Sequence, residues 1–585
     1  MLASHILPES AFTELAEGAG SPATIGLVRE AQLSKHLMLL AAIAGEASGS
    51  GRGPVAFRAG YELFARLQSS DPQAGSWLLR LPHLGGWAND CLIHLEQGST
   101  ADFGYFACLI AAAAMHSDVP FELTVPVRDG RVRLPGLGSL CMDDRSSWTR
   151  LCCDGNRVAV GDRFRADRRL LVPDDGSGQT LPGWSGTPMV RAFAGGLAWD
   201  VLLETGDPYL DRYSLPMSAG LSPDELRPWR LRVMSAWELL VHQHRWVAAP
   251  MTDGLSVIVP LTPCYGTDLV SATSPAAFGA VATSWPPDSV TLAETLVHEF
   301  QHVKLCGLLD MVPLVSSGGE MAYAPWRQDP RPTAGLLQGV YAHLGIVRFW
   351  QAQQHAETEP DDILRAQVHL ARWRSAIDLG VQTLLETNCL TAAGARFVDL
   401  LWDRAQDTAS GAISDEALII AGEVALDHWL TWQLRHIATD AATVADLAAA
   451  YERGEPFPAG AHPRAWVQKE TRKVDSAVRS RLLNLRYLAP ARYRELCGDG
   501  ILPLGQSDRL LIKRRSGAAV QAYRDWIADA SDPQPDAWIG LALALHQLRP
   551  SELRAVFATR LPLLFDVHAR LGGQVDPLDL AGWFR

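Results

Sequence analysis

The sequence predicts a mainly α-helical fold with a smaller β-rich insertion, an α+β fold and not a jelly roll. Apolar residues recur at helical spacing over most of the chain, whereas apolar and polar residues alternate between Gly and Asp turns over residues 120–205. The third observation is the sequence HEFQH at residues 298–302, which lies inside an apolar helical pattern. We therefore expect a helical core that binds a metal ion, followed by a helical C-terminal bundle.

Composition and charge exclude several classes of protein. With 48% hydrophobic and 20% charged residues among 585, the chain has the composition of a folded protein and not of a disordered one. A formal net charge of −13 argues against a nucleic-acid partner. No apolar run approaches the roughly 20 residues that span a bilayer, and residues 1–5 lack the basic start of a signal peptide. We therefore expect a cytoplasmic protein with no membrane partner.

Several elements are predicted before the HEFQH sequence. Residues 1–117 follow a helical pattern, the alternating strands come next, and residues 231–247 return to helix. Residues 255–260 have the pattern of a short buried strand. A loop rich in Pro, Ser and Thr then leads to the helix of the HEFQH sequence, for which Ser289 or Thr291 is the predicted N-cap.

Two histidines four residues apart lie on one face of a helix, and in this chain they are His298 and His302. Their imidazoles can bind one divalent ion at about 2.0–2.1 Å, with Glu299 beside them on the helix. A HExxH sequence also occurs by chance on solvent-facing helices. Here the apolar residues on both sides favour a buried helix, so we predict a metal site.

An irregular segment follows the predicted metal helix. Three prolines and two glycines within residues 316–332 exclude a regular helix there. The next predicted helix, residues 335–354, carries Gln338, His343 and Arg348. A long loop rich in aromatic and guanidinium groups that follows a metal helix is typical of substrate contact.

Two histidines hold a metal poorly, so a third ligand is required. The protease pattern HExxHxxGxxH is not present, because Leu305 and Leu308 occupy its glycine and third histidine positions. Asp310 belongs to the same helix as His302 but lies more than two turns further on, which is too far to reach the same ion.

Three other candidates for the third ligand follow. Glu320 has about the separation from His302 that zinc peptidases use for a glutamate on a second helix, although the Gly-Gly pair before it argues against a helix. Gln338 is a neutral amide and a poor ligand. His343 is either a ligand or a core histidine bonded to a backbone carbonyl, and the residues by themselves leave that choice open.

Several stretches together resemble one known family. They are LVHEFQHVKL at 296–305, LDMVPL at 309–314, YAPWRQDPRP at 323–332 and GLLQGVYAHL at 335–344. In these residues the chain resembles the HExxH-type, 2-oxoglutarate-dependent peptide β-hydroxylases that accompany gene clusters for ribosomally synthesised, post-translationally modified peptides. ILPESAF at 6–12 and LSKH at 33–36 are similar to the start of the same family domain.

The resemblance implies an oxidoreductase, a dioxygenase that hydroxylates a side-chain β-carbon in a ribosomally made precursor peptide. Its metal would be Fe(II), held by His298, His302 and His343. The co-substrates would be 2-oxoglutarate, which occupies two open positions on the metal, and O2, which occupies the last. The precursor peptide is the expected partner.

The distal carboxylate of 2-oxoglutarate needs a fork of donors, for which arginine is suited. Arg327, Arg331 and Arg348 are the candidates. The alternative is that the two loop arginines tie their loop to a nearby carboxylate. Likewise, Tyr323 and Trp326 either line the pocket or anchor the loop in the core.

Glu299 distinguishes the functional classes. In an oxygenase it would orient a ligand histidine or a bound water, whereas in a zinc metallopeptidase it would be the general base. The peptidase is the first alternative function, with zinc in place of iron and Glu320 as the third ligand. The second alternative is a non-catalytic helical scaffold that binds peptides.

Domain organisation is predicted from the same patterns. Residues 1–455 are expected to form the metal-dependent catalytic domain and residues 456–585 a helical C-terminal region. Within the latter, PDAW at 535–538 and LALAL at 541–545 are similar to one helical hairpin of tetratricopeptide type. A single copy supports a repeat array only weakly, and an ordinary helical bundle explains it better.

Overall fold

The structure is a computed structural model. It describes residues 5–142, 146–161, 164–172, 181–210, 215, 217–218, 220–262, 269–316, 318–407, 412–458, 465–475, 477–498, 505–530, 532–548 and 553–585. Helices predominate in it and the strands form small sheets, which confirms the predicted class of a mainly α protein with a smaller β part. By internal packing the chain divides into two compact units, Met1–Pro313 and Leu314–Arg585. Among the described residues, no helix combines the length and apolar character needed to cross a bilayer.

Nine helices belong to the first unit. They are α1 (Glu9–Ala16), α2 (Pro22–Glu46), α3 (Arg52–Ser70), α4 (Pro72–Arg80), α5 (Pro82–Glu96), α6 (Tyr105–Ala114), α7 (Pro223–Gln243), α8 (Arg245–Gly254) and α9 (Ser289–Leu309), counted over the described residues. Local sequence accounts for several helix starts. Ser222 and Glu225 form a capping box at the start of α7, and proline occupies the first turn of α2, α4 and α5.

The strands of the first unit begin directly after the N-terminal helices. They are β1 (Phe121–Pro126), β2 (Arg131–Leu134), β3 (Gly138–Cys141), β4 (Trp148–Cys153), β5 (Arg157–Val160), β6 (Phe164–Asp167), β7 (Trp184–Gly186), β8 (Met189–Ala194), β9 (Leu197–Leu203), β10 (Val257–Pro260), β11 (Ser271–Thr273) and β12 (Ala280–Thr283). Strands β1 to β9 fall in the stretch predicted to be β-rich, and β10 is the predicted short buried strand.

Three sheets form from these strands. One has the order β1-β4-β5-β6 and another β2-β3-β7, whereas the third has the order β11-β12-β10-β9-β8. In the third sheet β9, β10 and β12 run parallel, with antiparallel β8 and β11 at its edges. The last strand of the insertion, β9, therefore pairs with β10, which begins more than fifty residues later, and periodicity along the sequence does not reveal this pairing.

The five-stranded sheet positions the predicted metal helix. Helix α9 packs against β11 and β12 and against helices α2, α7 and α8. A Cβ atom at Gly307 would lie 2.3 Å from Cγ1 of Val28, so α2 approaches α9 more closely than any other residue at that position would allow. The helix is thus buried on several sides, between strands of the sheet and neighbouring helices.

The second unit is almost entirely helical. Its helices are α10 (Thr333–Ala356), α11 (Pro360–Glu386), α12 (Ala392–Asp407), α13 (Asp415–His436), α14 (Ala441–Glu452), α15 (Ala477–Leu488), α16 (Pro490–Gly498), α17 (Gln506–Ile512), α18 (Ser516–Asp529), α19 (Pro535–Gln547), α20 (Leu553–Arg570) and α21 (Pro577–Trp583), with a two-stranded ladder of β13 (Ile437–Thr439) and β14 (Ala465–Val467). The predicted boundary at residue 455 lies inside this unit. Side chains on both sides of it, such as Leu447 and Tyr487, share one hydrophobic core.

Candidate metal centre

Helix α9 carries the HEFQH sequence, and its start is set by a capping carboxylate. Asp288 accepts a hydrogen bond from the backbone N–H of Thr291 at 2.6 Å. The predicted caps, Ser289 and Thr291, are therefore wrong: they are the first and third residues of the helix. A carboxylate satisfies the exposed N–H groups and also interacts favourably with the positive end of the helix dipole, which favours Asp288 over the hydroxyls after it.

A buried lysine fixes the same helix to the N-terminal segment. The Lys304 ammonium donates to the carbonyl oxygen of Gly18 at 2.9 Å and also to that of Ala19. The Gln301 amide donates to the Gly18 carbonyl at 3.2 Å. We did not predict these contacts from the sequence. The signal was present, because a lysine inside an apolar helical pattern must find oxygen acceptors when it is buried.

His298 and His302 come together on one face of α9, as predicted. Their Nε2 atoms lie 3.2 Å apart, and the two rings are nearly perpendicular, with an interplanar angle of 80°. Both side chains are half-buried. Two nitrogen ligands at about 2.0–2.1 Å from one ion, with a ligand–metal–ligand angle of about 90–109°, are about 2.9–3.4 Å apart. The pair therefore has the separation that two neighbouring ligands of one metal ion require.

The histidine pair supplies two ligands, and a stable site needs more. Over the described ranges, no group of three or more His, Cys, Asp or Glu side chains is placed to hold a metal ion. The donor chemistry of the pair fits a divalent ion of the iron or zinc type, for which imidazole is a suitable ligand. The predicted third ligand accordingly stays a prediction.

Glu299 points into the protein. The residue is 2% exposed, and its two carboxylate oxygens accept hydrogen bonds from the Ser271 hydroxyl at 2.6 Å and from the Thr273 hydroxyl at 2.5 Å. The Thr273 hydroxyl also lies 3.2 Å from the Glu299 carbonyl oxygen. Glu299 thus joins α9 to the edge strand β11. In hindsight the pattern Ser-Ala-Thr was a signal, because residues two apart on a strand face the same side.

Asp310 has a local structural role. It is the C-cap of α9, and its carboxylate accepts hydrogen bonds from the Gln32 amide at 2.8 Å and the Lys35 ammonium at 2.7 Å. Both partners belong to α2. Asp310, which the sequence analysis excluded as a metal ligand, therefore pairs with residues of helix α2.

His343, the predicted third ligand, lies in the second unit on α10. The residue is 5% exposed, and its Nδ1 atom donates to the carbonyl oxygen of Gly339, one turn earlier, at 2.8 Å. Its ring stacks on Trp326 with a centroid distance of 4.7 Å and lies 4.6 Å from the ring of Trp373. Because Nδ1 carries the proton in this bond, Nε2 of the neutral ring carries the lone pair that a metal ligand uses.

The irregular loop before α10 is anchored by two aromatic residues. A Cβ atom at Gly339 would lie 2.2 Å from the Trp326 indole, so this glycine makes the room into which Trp326 packs. The Tyr323 hydroxyl lies 2.7 Å from Nδ1 of His428. Burial, together with nearby arginines, lowers the pKa of His428 to about 3, so Nδ1 is an acceptor for the tyrosine proton. Of the two roles considered for Tyr323 and Trp326, anchoring is the one that these contacts describe.

The arginines of the loop share one carboxylate. Arg327 donates to Asp329 at 2.9 Å and Arg331 donates to the same carboxylate at 3.0 Å. The backbone N–H groups of Ala322 and Arg331 each donate to the other residue's carbonyl oxygen, which closes the loop like a short hairpin. The two guanidinium groups therefore bind a carboxylate of their own loop, which is the second of the two roles considered for them. Arg348 is half-buried on α10.

The two remaining candidates are positioned differently from each other. Glu320 is exposed and belongs to a segment without helix, as the glycines before it predicted. Gln338 is half-buried on α10.

Comparison with known proteins does not identify a family: no family model matches the chain, and no curated protein matches it.

Proposed function

We propose that this protein is a non-haem Fe(II)- and 2-oxoglutarate-dependent dioxygenase that hydroxylates a side-chain β-carbon of a ribosomally made peptide. The observation that carries the proposal is the 3.2 Å approach of Nε2 of His298 to Nε2 of His302 on a buried helix. That separation suits two neighbouring ligands of one ion. The identity of the metal and of the substrate comes from the resemblance in residues 296–344.

The burial of Glu299 supports an oxygenase over a zinc peptidase. A general base must reach a metal-bound water, so its carboxylate needs an open side. Both oxygens of Glu299 instead accept hydroxyl protons from Ser271 and Thr273. An oxygenase needs no carboxylate base, and in it Glu299 holds the ligand helix against the sheet.

In the proposed enzyme His298 and His302 hold the metal, and we take His343 as the third ligand from the resemblance alone. Its hydrogen bond to the Gly339 carbonyl supports this role, because metal-bound histidines commonly donate their other nitrogen to a backbone oxygen, which fixes the tautomer. Trp326 and Trp373 flank the ring and restrict its rotation. When bound, Fe(II) would activate O2 with electrons supplied by decarboxylation of 2-oxoglutarate.

Anaerobic reconstitution of the full chain with Fe(II), followed by addition of 2-oxoglutarate, tests the proposal. We expect the visible charge-transfer band of an iron-bound 2-oxo acid in the wild type. His298→Ala, His302→Ala and His343→Ala should each abolish the band. His355→Ala is the matched control, because His355 is an exposed histidine on the same helix as His343, and this variant should retain the band.

Two results would count against the proposal in different ways. A band that survives in His343→Ala would remove that residue from the ligand set and leave the histidine pair. Absence of any band, combined with tight zinc binding that is lost in Glu320→Ala, would overturn the oxygenase and favour the peptidase. Bound metal and the circular-dichroism spectrum are measured for every variant. The spectrum identifies a misfolded variant, whose missing metal is then not counted as the loss of a ligand.

A further inference from the structure

A groove lies at the start of the metal helix, within the first unit. It has a volume of about 570 Å³ and lies between α7 and the loop that enters α9. Its walls are formed by α7 on one side and by the loop before α9 with the first residue of α9 on the other: Arg227, Pro228, Leu231, Arg232 and Ser235, then Trp285, Pro287 and Asp288, then Ser289. None of these residues belongs to the histidine pair, and Asp288 is the one that also caps its helix.

The groove exposes large apolar side chains. Leu231 is 56% exposed, Met234 on the next turn of α7 is 45% exposed, and Trp285 is 37% exposed. Leu231 and Met234 are three residues apart on the helix and so lie on one face. A cluster of exposed large hydrophobic residues beside a groove is typical of a binding surface and unusual for a face that only meets water.

Trp285 is held in place although it is exposed. Its ring packs edge-on against Trp229 with a centroid distance of 5.1 Å, and the Arg232 guanidinium lies 4.9 Å from the Trp285 ring centroid. Arg232 also donates to the carbonyl oxygen of Pro286 at 2.6 Å. A tryptophan fixed before binding loses little conformational entropy when a ligand covers it, which suits it to be an anchor.

The charges of the groove define the ligand. Arg227 and Arg232 line it, and within the described structure no carboxylate forms an ion pair with Arg227, which is exposed. The one acidic residue in the wall, Asp288, uses its carboxylate to cap α9. With two arginines in its wall and its one carboxylate used for the helix cap, the groove favours an acidic ligand over a basic one.

We infer that this groove docks an acidic peptide segment that carries large apolar side chains. The inference rests on the proposed function in taking that segment to be part of the substrate. Ser289 begins α9 nine residues before His298, a distance of about 14 Å along the helix axis. At about 3.3 Å for each extended residue, a peptide anchored in the groove needs at least about four residues to cover that distance.

Fluorescence anisotropy with two synthetic peptides tests the inference. The first alternates Glu with Leu and Phe, and the second carries Lys in place of each Glu. We expect the wild-type full chain to bind the acidic peptide, with an affinity that falls as salt is added, and to bind the basic peptide much more weakly. Arg227→Glu and Trp285→Ala should each weaken binding of the acidic peptide by about tenfold or more.

Arg66→Glu is the matched control, since it reverses the charge of another exposed arginine of the first unit, on α3, and should leave binding unchanged. Leu231→Ser, at an exposed position that should not affect folding, provides a second variant in case Trp285→Ala unfolds the protein. Equal binding of the two peptides, wild-type affinity in Arg227→Glu and Leu231→Ser, or no binding of the acidic peptide would each overturn the inference.

The same assay separates this inference from the proposed function. A variant with both His298→Ala and His302→Ala should bind the acidic peptide as well as the wild type does. If the peptide binds and the iron band never forms, the hydroxylase is wrong and the docking surface stands. If the band forms and the acidic peptide does not bind, the docking surface is wrong and the hydroxylase stands.

Discussion

The carboxylate of Glu299 accepts a hydrogen bond from the Thr273 hydroxyl at 2.5 Å, and this contact joins helix α9 to the edge strand of the five-stranded sheet. The pairing connects residues that are 26 positions apart in the chain. It gives the glutamate of the HExxH sequence a structural role that the motif by itself does not suggest.

Substitution of Glu299 therefore has a distinctive expected outcome. Glu299→Ala removes the carboxylate acceptor of the Ser271 and Thr273 hydroxyls and leaves Thr273 only the Glu299 backbone carbonyl. It should cost about 1.5–3 kcal/mol of stability, because hydrogen bonds to a carboxylate are of that size. Glu299→Gln keeps one acceptor oxygen and should cost less. Thermal melting of both variants, with metal content measured on the folded proteins, checks this order.

A general-base role for Glu299 would give the opposite pattern. Glu299→Gln would then melt like the wild type and lose all turnover. Thr273→Val supplies the control, because it removes one hydroxyl partner without touching the motif. In a double-mutant cycle the stability loss of Thr273→Val combined with Glu299→Ala should be smaller than the sum of the two single losses, since the two residues share one contact.

The buried pair of His83 and Glu204 predicts a pH-dependent stability. His83 Nε2 lies 3.0 Å from the Glu204 carboxylate, and the Tyr105 hydroxyl donates to nearby Asp207. Burial by itself would lower the pKa of His83, but the carboxylates of Asp207 and Glu204 outweigh it and the pKa is raised. Burial raises the pKa of Asp207 as well.

A raised pKa in the folded state means that the folded protein binds the His83 proton more tightly than the unfolded chain. This stabilisation is fully present below the unfolded value of about 6.5 and is lost as pH rises through the folded pKa. Asp207 contributes a change of the same sign at lower pH. The melting temperature should therefore fall as the pH rises above about 6.5, and His83→Gln should flatten the curve. His242→Gln, at an exposed histidine, should leave the slope unchanged.

Gly339 and Gly422 form a matched pair of helix glycines with opposite expected outcomes. A Cβ atom at Gly339 would lie 2.2 Å from the Trp326 indole, whereas a Cβ atom at Gly422 meets nothing within 4 Å. Gly339→Ala should cost about 1–3 kcal/mol through overpacking. Gly422→Ala should stabilise α13 by up to about 1 kcal/mol, because alanine is the better helix former.

Limited proteolysis reports where the Gly339→Ala strain appears. Displacement of Trp326 should expose the loop that ends at Pro332, so cleavage between residues 318 and 332 should become faster than in the wild type. Unchanged cleavage together with an unchanged melting temperature would show that Trp326 does not anchor the loop.

The three arginine candidates for 2-oxoglutarate are expected to differ. Arg327 and Arg331 already pair with Asp329, so alanine at either position should change 2-oxoglutarate affinity by no more than about threefold. A bidentate guanidinium–carboxylate contact is worth about 1.5–3 kcal/mol, so Arg348→Ala should weaken binding by about tenfold or more. Titration of the charge-transfer band measures all three.

A tenfold loss in Arg327→Ala or Arg331→Ala would reverse this assignment. Asp329→Asn then becomes the deciding variant, because it removes the charge that both arginines contact. If either loop arginine binds the co-substrate, this variant should bind 2-oxoglutarate more tightly than the wild type.

Much of the site was predictable where it depends on neighbours in the chain. The apolar spacing around residues 298–302 predicted a buried helix, and the prolines and glycines of residues 316–332 predicted an irregular loop. The strand at Val257–Pro260 was also expected. Each of these depends on periodicity or backbone restriction within a few residues, which the sequence displays directly.

The sequence by itself determined that His298 and His302 share a helical face, because a spacing of four residues places two side chains one turn apart. Tertiary structure decided what surrounds them. It placed Glu299 against hydroxyls of β11, placed Asp310 against Lys35 of α2, and paired β9 with β10 in the sheet. Such contacts bring together residues far apart in the chain, and their energy depends on packing that no local pattern encodes.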